Sequence, residues 1–151
     1  MKITSPDFKN GGKIPPKFTC DGDNINPELH IIDVPEKARS LVLIMDDPDV
    51  PEFVRADRMW VHLVVFNIPP NVETLPQNST LPGTMGKGTG GQLVYEGPCP
   101  PDREHRYFFK LYALDCMLDL AEGATKKELE KAMIGHILSQ AELMGTYNRP
   151  A

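Results

Sequence analysis

Apolar residues fall into short, dense runs separated by proline- and glycine-rich stretches. Residues 40–46 (SLVLIMD) form an apolar run of strand length, closed by an Asp-Asp-Pro-Asp turn. Residues 61–68 (VHLVVFNI) are rich in β-branched side chains and apolar at both alternating sets, the pattern of a strand buried on both faces. Residues 106–114 (RYFFKLYAL) alternate: Tyr107, Phe109, Leu111 and Ala113 make an apolar face, with Arg106 and Lys110 on the other. Weaker runs at 29–32 and 92–95 predict two more strands. Near the C-terminus, Thr125 and Glu128 form a capping box. Leu129, Met133, Ile137, Ala141 and Met144 follow at helical spacing, with Gly145 as the stop, which predicts one long helix. His136, beside that stripe, is expected to be a packed or surface residue. No repeat or linker divides the chain, so residues 1–151 read as a single domain with an all-β core and a C-terminal α-helix.

The composition agrees with many short segments: 15 prolines and 12 glycines in 151 residues. A formal net charge of -5, with Lys126-Lys127 the longest basic run, argues against nucleic acid as a partner and against an anionic membrane surface. The opening MKITSPDF turns polar at once, so neither a secretory signal nor a membrane span is expected, and a cytoplasmic location is favoured. Cys20, Cys99 and Cys116 match no zinc spacing, and reduced thiols are the expectation. A Cys20–Cys99 bridge is the alternative, since both lie in Pro/Gly-rich loops.

Catalytic signals are few. The GTMGKGTGG stretch (83–91) fails as a phosphate loop, because Leu81 replaces the required glycine and Gly88 the required Ser or Thr. It reads as a flexible surface crossing within a long loop spanning 71–91. Ser5, Ser40, Ser79 and Ser139 lie in no nucleophile elbow. Cys99 sits in GPCPP, whose prolines remove backbone donors that an oxyanion hole needs. No catalytic residue and no enzyme activity are expected.

Three separated pieces are richer: Asp47-Pro48-Asp49-Val50-Pro51 where one buried strand ends, Trp60-Val61-His62 opening the next, and Gly97-Pro98-Cys99-Pro100-Pro101 ahead of His105-Arg106-Tyr107. Strand alternation puts Trp60 with His62, and His105 with Tyr107. Were these strand ends neighbours, two imidazoles, a phenol, an indole and one or two carboxylates would meet. Each has a duller explanation too: a turn-forming Asp-Pro-Asp, a core tryptophan, a histidine satisfied by a nearby carboxylate.

DPDVP, Trp-x-His and GPCPP-x3-HRY, in that order, resemble the three signature motifs of the phosphatidylethanolamine-binding proteins, also called Raf kinase inhibitor proteins. Residues 19–27 and 135–147 resemble the short bacterial branch of YbhB/YbcL type. The resemblance implies a sandwich of two antiparallel sheets with a pocket at one end for phosphate, a phosphoryl headgroup or an acetate-like anion. Ligand contact would fall to Asp47, Trp60, His62, Gly97, Pro98, His105 and Tyr107, with Pro48 and Asp49 shaping the wall and no cofactor or metal. In that pocket both histidines would donate to the anion, a backbone amide near Gly97 would add a donor, and Asp47 would raise one histidine's pKa, so affinity is expected to fall as pH rises. Regulation of a kinase or protease partner and a homodimer are further implications. The competing reading is a metalloenzyme using Asp47, His62 and His105. Two departures from the family pattern bear on headgroup choice: no tyrosine in 52–58, and a different 83–91 loop.

Overall fold

The computed structural model describes residues 1–150. β1 (Lys2–Thr4), β3 (Leu29–Ile32) and β6 (Thr74–Leu75) make a three-stranded antiparallel sheet in the order β1-β3-β6. The second sheet combines β2 (Gly12–Lys13), β4 (Ser40–Asp47), β5 (Trp60–Ile68), β7 (Thr84–Met85), β8 (His105–Leu114) and β9 (Ile137–Tyr147), in the order β2-β9-β8-β4-β5-β7. Its pairings are antiparallel except that of β2, which lies parallel to β9.

The three strong apolar runs are the heart of the larger sheet. Each strand begins or ends one residue beyond its run, at Asp47, Trp60 and His105, and each of those residues is a candidate ligand contact. β4 is central and buried along its whole length. Leu41, Leu43 and Met45 on one face pack with Leu63, Val65, Phe109 and Leu111, and with Ile3, Leu29 and Leu75 of the small sheet. Val42 and Ile44 on the other face meet Val64, Phe66 and the buried Leu129 and Met133 of α1 (Lys126–Met133). The architecture is therefore small sheet, large sheet and a single helix in three layers, an all-β sandwich as expected.

The C-terminal third departs from the expected long helix. The Thr125–Glu128 capping box is present, but α1 ends at Met133. Gly135, at φ +81°, takes a left-handed turn that no helix continues through. Residues after it form β9, paired with β8 from Leu114↔Ile137 to His105↔Tyr147. The apolar stripe was misleading because Ile137 and Ala141 are also in step with a strand whose buried side is Leu143, Gly145 and Tyr147, while Met144 falls on the opposite side. A ten-residue ladder against β8 outweighs intrinsic helix preference. Gly145 is no stop: a Cβ there would lie 2.6 Å from Ile14 Cγ1 and 2.8 Å from Phe8 Cε2, so glycine lets β9 approach the N-terminal segment.

Three smaller expectations also change. Residues 92–95 are irregular rather than a strand. The 71–91 segment carries β6 and β7, and its glycine-rich part is fastened down: Gly86 N donates to Val64 O, Lys87 N to Ala124 O and Thr89 N to Val61 O. Cys20 and Cys99 are joined by a disulfide, with Cα atoms 5.5 Å apart, while Cys116 is free. Their loops meet independently of the bond, through Cys20 N to Pro98 O and Gly97 N to Asn24 Oδ1, a convergence invisible across 79 residues of sequence.

Closing so long a loop restricts the unfolded chain, so Cys20→Ser is expected to cost about 2–5 kcal/mol. Urea denaturation of the variant checks this; an unchanged midpoint contradicts it.

Candidate functional site

β5 and β8 flank β4, and the aligned ends of these three strands hold the candidate residues. Asp47 pairs across the ladder with Trp60, and the β8 alternation turns His105 and Tyr107 to the same side. β5 does not alternate evenly. Val61 opposes Asp46 and Leu63 opposes Met45, so His62 is the extra residue of a β-bulge. Bulges are common beside functional sites; here His62 keeps the side of Trp60, and the extra residue brings Leu63 back to that side as well.

The result is a cavity of about 240 Å³ whose polar lining is Asp47, Trp60, His62, Glu96, His105 and Tyr107. Val50, Val54, Cys99, Pro100 and Pro101 complete the walls. Five expected contacts, Asp47, Trp60, His62, His105 and Tyr107, are thus brought together, and Gly97, Pro98, Pro48 and Asp49 are not part of the lining. Gly97 serves packing: a Cβ there would sit 2.1 Å from Phe18 O, and its own amide is already given to Asn24 Oδ1. Pro98 O accepts from Cys20 N. Pro48 and Asp49 face a separate outer groove, where Asp49 binds the Arg106 guanidinium and backbone amide. That guanidinium holds the Asp49 carboxyl below the usual range.

Hydrogen bonds define what each group can offer. Asp47 Oδ1 accepts from Asp49 N at 2.7 Å and its Oδ2 lies 2.6 Å from His105 Nδ1. The other nitrogen of His105, Nε2, lies 2.6 Å from Asp102 Oδ1. Both bonds of this carboxylate–imidazole–carboxylate unit require two protons shared among the three groups. Burial pushes the Asp47 pKa up, partly offset by its bonds to His105 and Asp49.

His62 behaves differently from expectation. Its Nδ1 lies 2.6 Å from Glu96 O, a carbonyl that can only accept, so Nδ1 carries the proton. Burial pushes the ring's pKa down to about 4, beyond the opposing pull of that hydrogen bond and of the Asp46 charge. At neutral pH His62 is uncharged, and Nε2 is a lone-pair acceptor rather than a second donor. The carboxylate expected to orient one of the histidines, Asp47, sits on His105.

Tyr107 lies between the two imidazoles, edge-on to His62 at 5.3 Å and stacked with His105 at 6.4 Å. The side chain is fully buried, and its hydroxyl, although near the Asp47 carboxylate, has no partner within full hydrogen-bond distance. Burial, then the nearby Asp47 charge, raises its pKa, so it remains a protonated donor. Trp60 Nε1 donates to Glu96 Oε1 at 3.3 Å. Glu96 and Asp102 are the polar residues that sequence reading missed; neither lies in a regular element, and only the HRY spacing places Asp102 near His105.

A two-histidine metal centre fits this arrangement poorly, because both His105 nitrogens and His62 Nδ1 are engaged. Among the described residues, metal-ligand atoms gather within 4.8 Å at Asp115, Cys116 and His136. There the exposed His136 bonds Asp115 as a surface pair. No helix among the described residues is long and apolar enough to cross a membrane.

Fold and site together define a two-sheet β-sandwich with a largely apolar cavity, set with a few polar groups, at the end of its central strands. The family model described as phosphatidylethanolamine-binding protein matches residues 4–148. A UPF0098 protein of Chlamydia pneumoniae is 48% identical over 149 residues, covering 99% of each chain. Another from Methanothermobacter thermautotrophicus is 46% identical over 155 residues, again 99% of each. The crystal structure of a phosphatidylethanolamine-binding protein homologue from Chlamydia trachomatis superposes with a TM-score of 0.97 at 48% identity, covering 99% of this chain and 97% of that one. Escherichia coli YbcL, described as a member of the mammalian family, gives 0.88 at 27% identity, covering 99% and 98%. The chain belongs to the phosphatidylethanolamine-binding protein family.

Between about pH 6.5 and 4 the unfolded chain binds a proton at His62 that the folded chain refuses, so stability falls as pH falls through that window. The contribution is on the order of 3 kcal/mol. Urea midpoints of the wild type and His62→Gln across this range are expected to diverge, the wild type losing more stability toward pH 4. Parallel pH profiles contradict the assignment of a buried neutral imidazole.

Proposed function

We propose that the protein binds a small phosphoryl anion in the cavity formed by Asp47, Trp60, His62, His105 and Tyr107. The observation that carries this reading is the buried, unpartnered Tyr107 hydroxyl at the cavity. A buried donor left unmade costs roughly 1–3 kcal/mol, and native folds keep such groups where something else completes them. An oxygen of the ligand is the natural acceptor. His62 Nε2, a lone pair at neutral pH, asks for the complementary group, a ligand proton. A phosphoryl group carrying one proton meets both demands at once, offering P–O⁻ to Tyr107 and P–OH to His62.

Phosphomonoesters lose that second proton near a pKa of about 6. Affinity therefore follows the ligand's protonation more than that of His62 and weakens as pH rises through the ligand's pKa. Trp60, Val50, Pro100 and Pro101 line the cavity with apolar surface suited to a short organic substituent. The relatives' family name points to a phosphoethanolamine headgroup as one such ligand. For location, the Cys20–Cys99 bridge favours an oxidising compartment over the cytoplasm expected from the sequence.

Tyr107→Phe separates binding from folding. It removes the one unsatisfied hydroxyl, so stability is expected to stay level or rise by about 1 kcal/mol, while affinity for inorganic phosphate falls about tenfold or more. Calorimetric titration and urea melts read the two quantities. Unchanged phosphate affinity in this variant overturns the reading.

A further inference from the structure

His105 lines the cavity, yet neither of its nitrogens is free to meet a ligand. One bond goes to Asp47, whose side chain is only 4% exposed, is anchored at the end of β4 and also accepts from Asp49 N. The other goes to Asp102, which differs in every respect that governs mobility. Its side chain is 28% exposed, and it sits in the irregular segment between Pro101 and β8. A second partner also waits for it: Oδ2 lies 3.6 Å from Arg103 Nε, on a side chain that is 57% exposed. Arg103 is itself braced by a bond from Nη2 to Asp49 O at 3.2 Å.

The geometry points to Asp102, which follows the lining residue Pro101 but is not itself part of the lining, as a cap on His105: its carboxylate holds the Nε2 donor that an incoming phosphoryl oxygen takes over as Asp102 swings fully to Arg103. This rests on the phosphoryl-binding reading above. A carboxylate and a phosphoryl oxygen make the same kind of charge-assisted bond to an imidazole N–H, so the two compete for one donor. Of the two carboxylates on His105, only Asp102 can leave without dismantling a strand end. Its departure strands no charge, because Arg103 and water receive it. The exchange sets the affinity threshold: a weakly acidic or uncharged ligand does not displace Asp102, whereas a phosphoryl group does. Asp102 is thereby a specificity-determining residue for this pocket.

The test is calorimetric titration of the wild type, Asp102→Asn, Asp102→Ala and Glu104→Gln with inorganic phosphate, with the His105 ring signals followed by nuclear magnetic resonance. Glu104 is a nearby carboxylate whose side chain pairs with Lys13 and makes no hydrogen bond to the His105 ring, so it reports on charge alone. The expected result is a gain of about tenfold in phosphate affinity for both Asp102 variants, no gain for Glu104→Gln, and His105 shifts on phosphate addition. Equal affinity in the Asp102 variants overturns the inference. Weaker binding makes Asp102 an orienting partner of His105, and an equal gain in Glu104→Gln reduces the effect to field strength; either outcome also overturns it. These three results leave the pocket reading standing. Absence of phosphate binding by all four proteins removes the pocket reading, and this inference with it.

Discussion

The hydrogen bond between Asp47 and His105 closes the end of the sheet at a point from which water is almost wholly excluded. Their side chains are 4% and 0% exposed, and the bond spans the ends of β4 and β8 at 2.6 Å. Removing either partner would leave the other buried and uncompensated, the situation in which buried polar groups become most costly. The bond also fixes what surrounds it. His105 held in place stacks on Tyr107, Tyr107 meets His62 edge-on, and Glu96 O holds His62 by its Nδ1. A rigid ring of polar groups around a small cavity follows from one tie between two strand ends.

That arrangement separates the roles of two histidines that look equivalent in sequence. His105 is set among carboxylates and His62 among carbonyl and apolar groups, so their hydrogen-bonding offers differ in kind. Tyr107, lying between them, supplies a donor that the protein itself does not use. A ligand with both an acceptor and a proton complements the set better than a fully ionised one. Asp47 and Glu96 line the cavity and Asp102 bonds His105 beside it, so the proposed anion capture would work by placement of individual donors, against the local field and the net charge of -5.

Much of the fold was legible because β structure leaves a period of two. The alternation of residues 106–114 placed His105 and Tyr107 on one face, and the doubly apolar runs at 40–46 and 61–68 marked the two buried partners. The same logic failed where the period is ambiguous or broken. Residues 137–144 satisfy helical and strand spacing alike, and the long-range ladder with β8 decided between them. The bulge at His62 shifts the phase of β5, so the pointing of that side chain was reached by an alternation that does not run on through the strand. Gly97 was read as a ligand contact when its lack of a side chain serves contact with Phe18 O. The Cys20–Cys99 pairing, the Glu96 carbonyl and the Asp102 cap depend on irregular segments meeting in space, which carry no periodic signal.

In the proposed pocket the Tyr107 hydroxyl is completed by a phosphoryl oxygen. A crystal structure of the protein soaked with phosphorylethanolamine near pH 6 tests it most directly. The expected result is a phosphoryl oxygen within about 2.5–3.0 Å of Tyr107 Oη, with a second oxygen facing His62 Nε2. A cavity filled only by water at a concentration that saturates the protein in solution, with the phosphoryl group bound elsewhere, would contradict it.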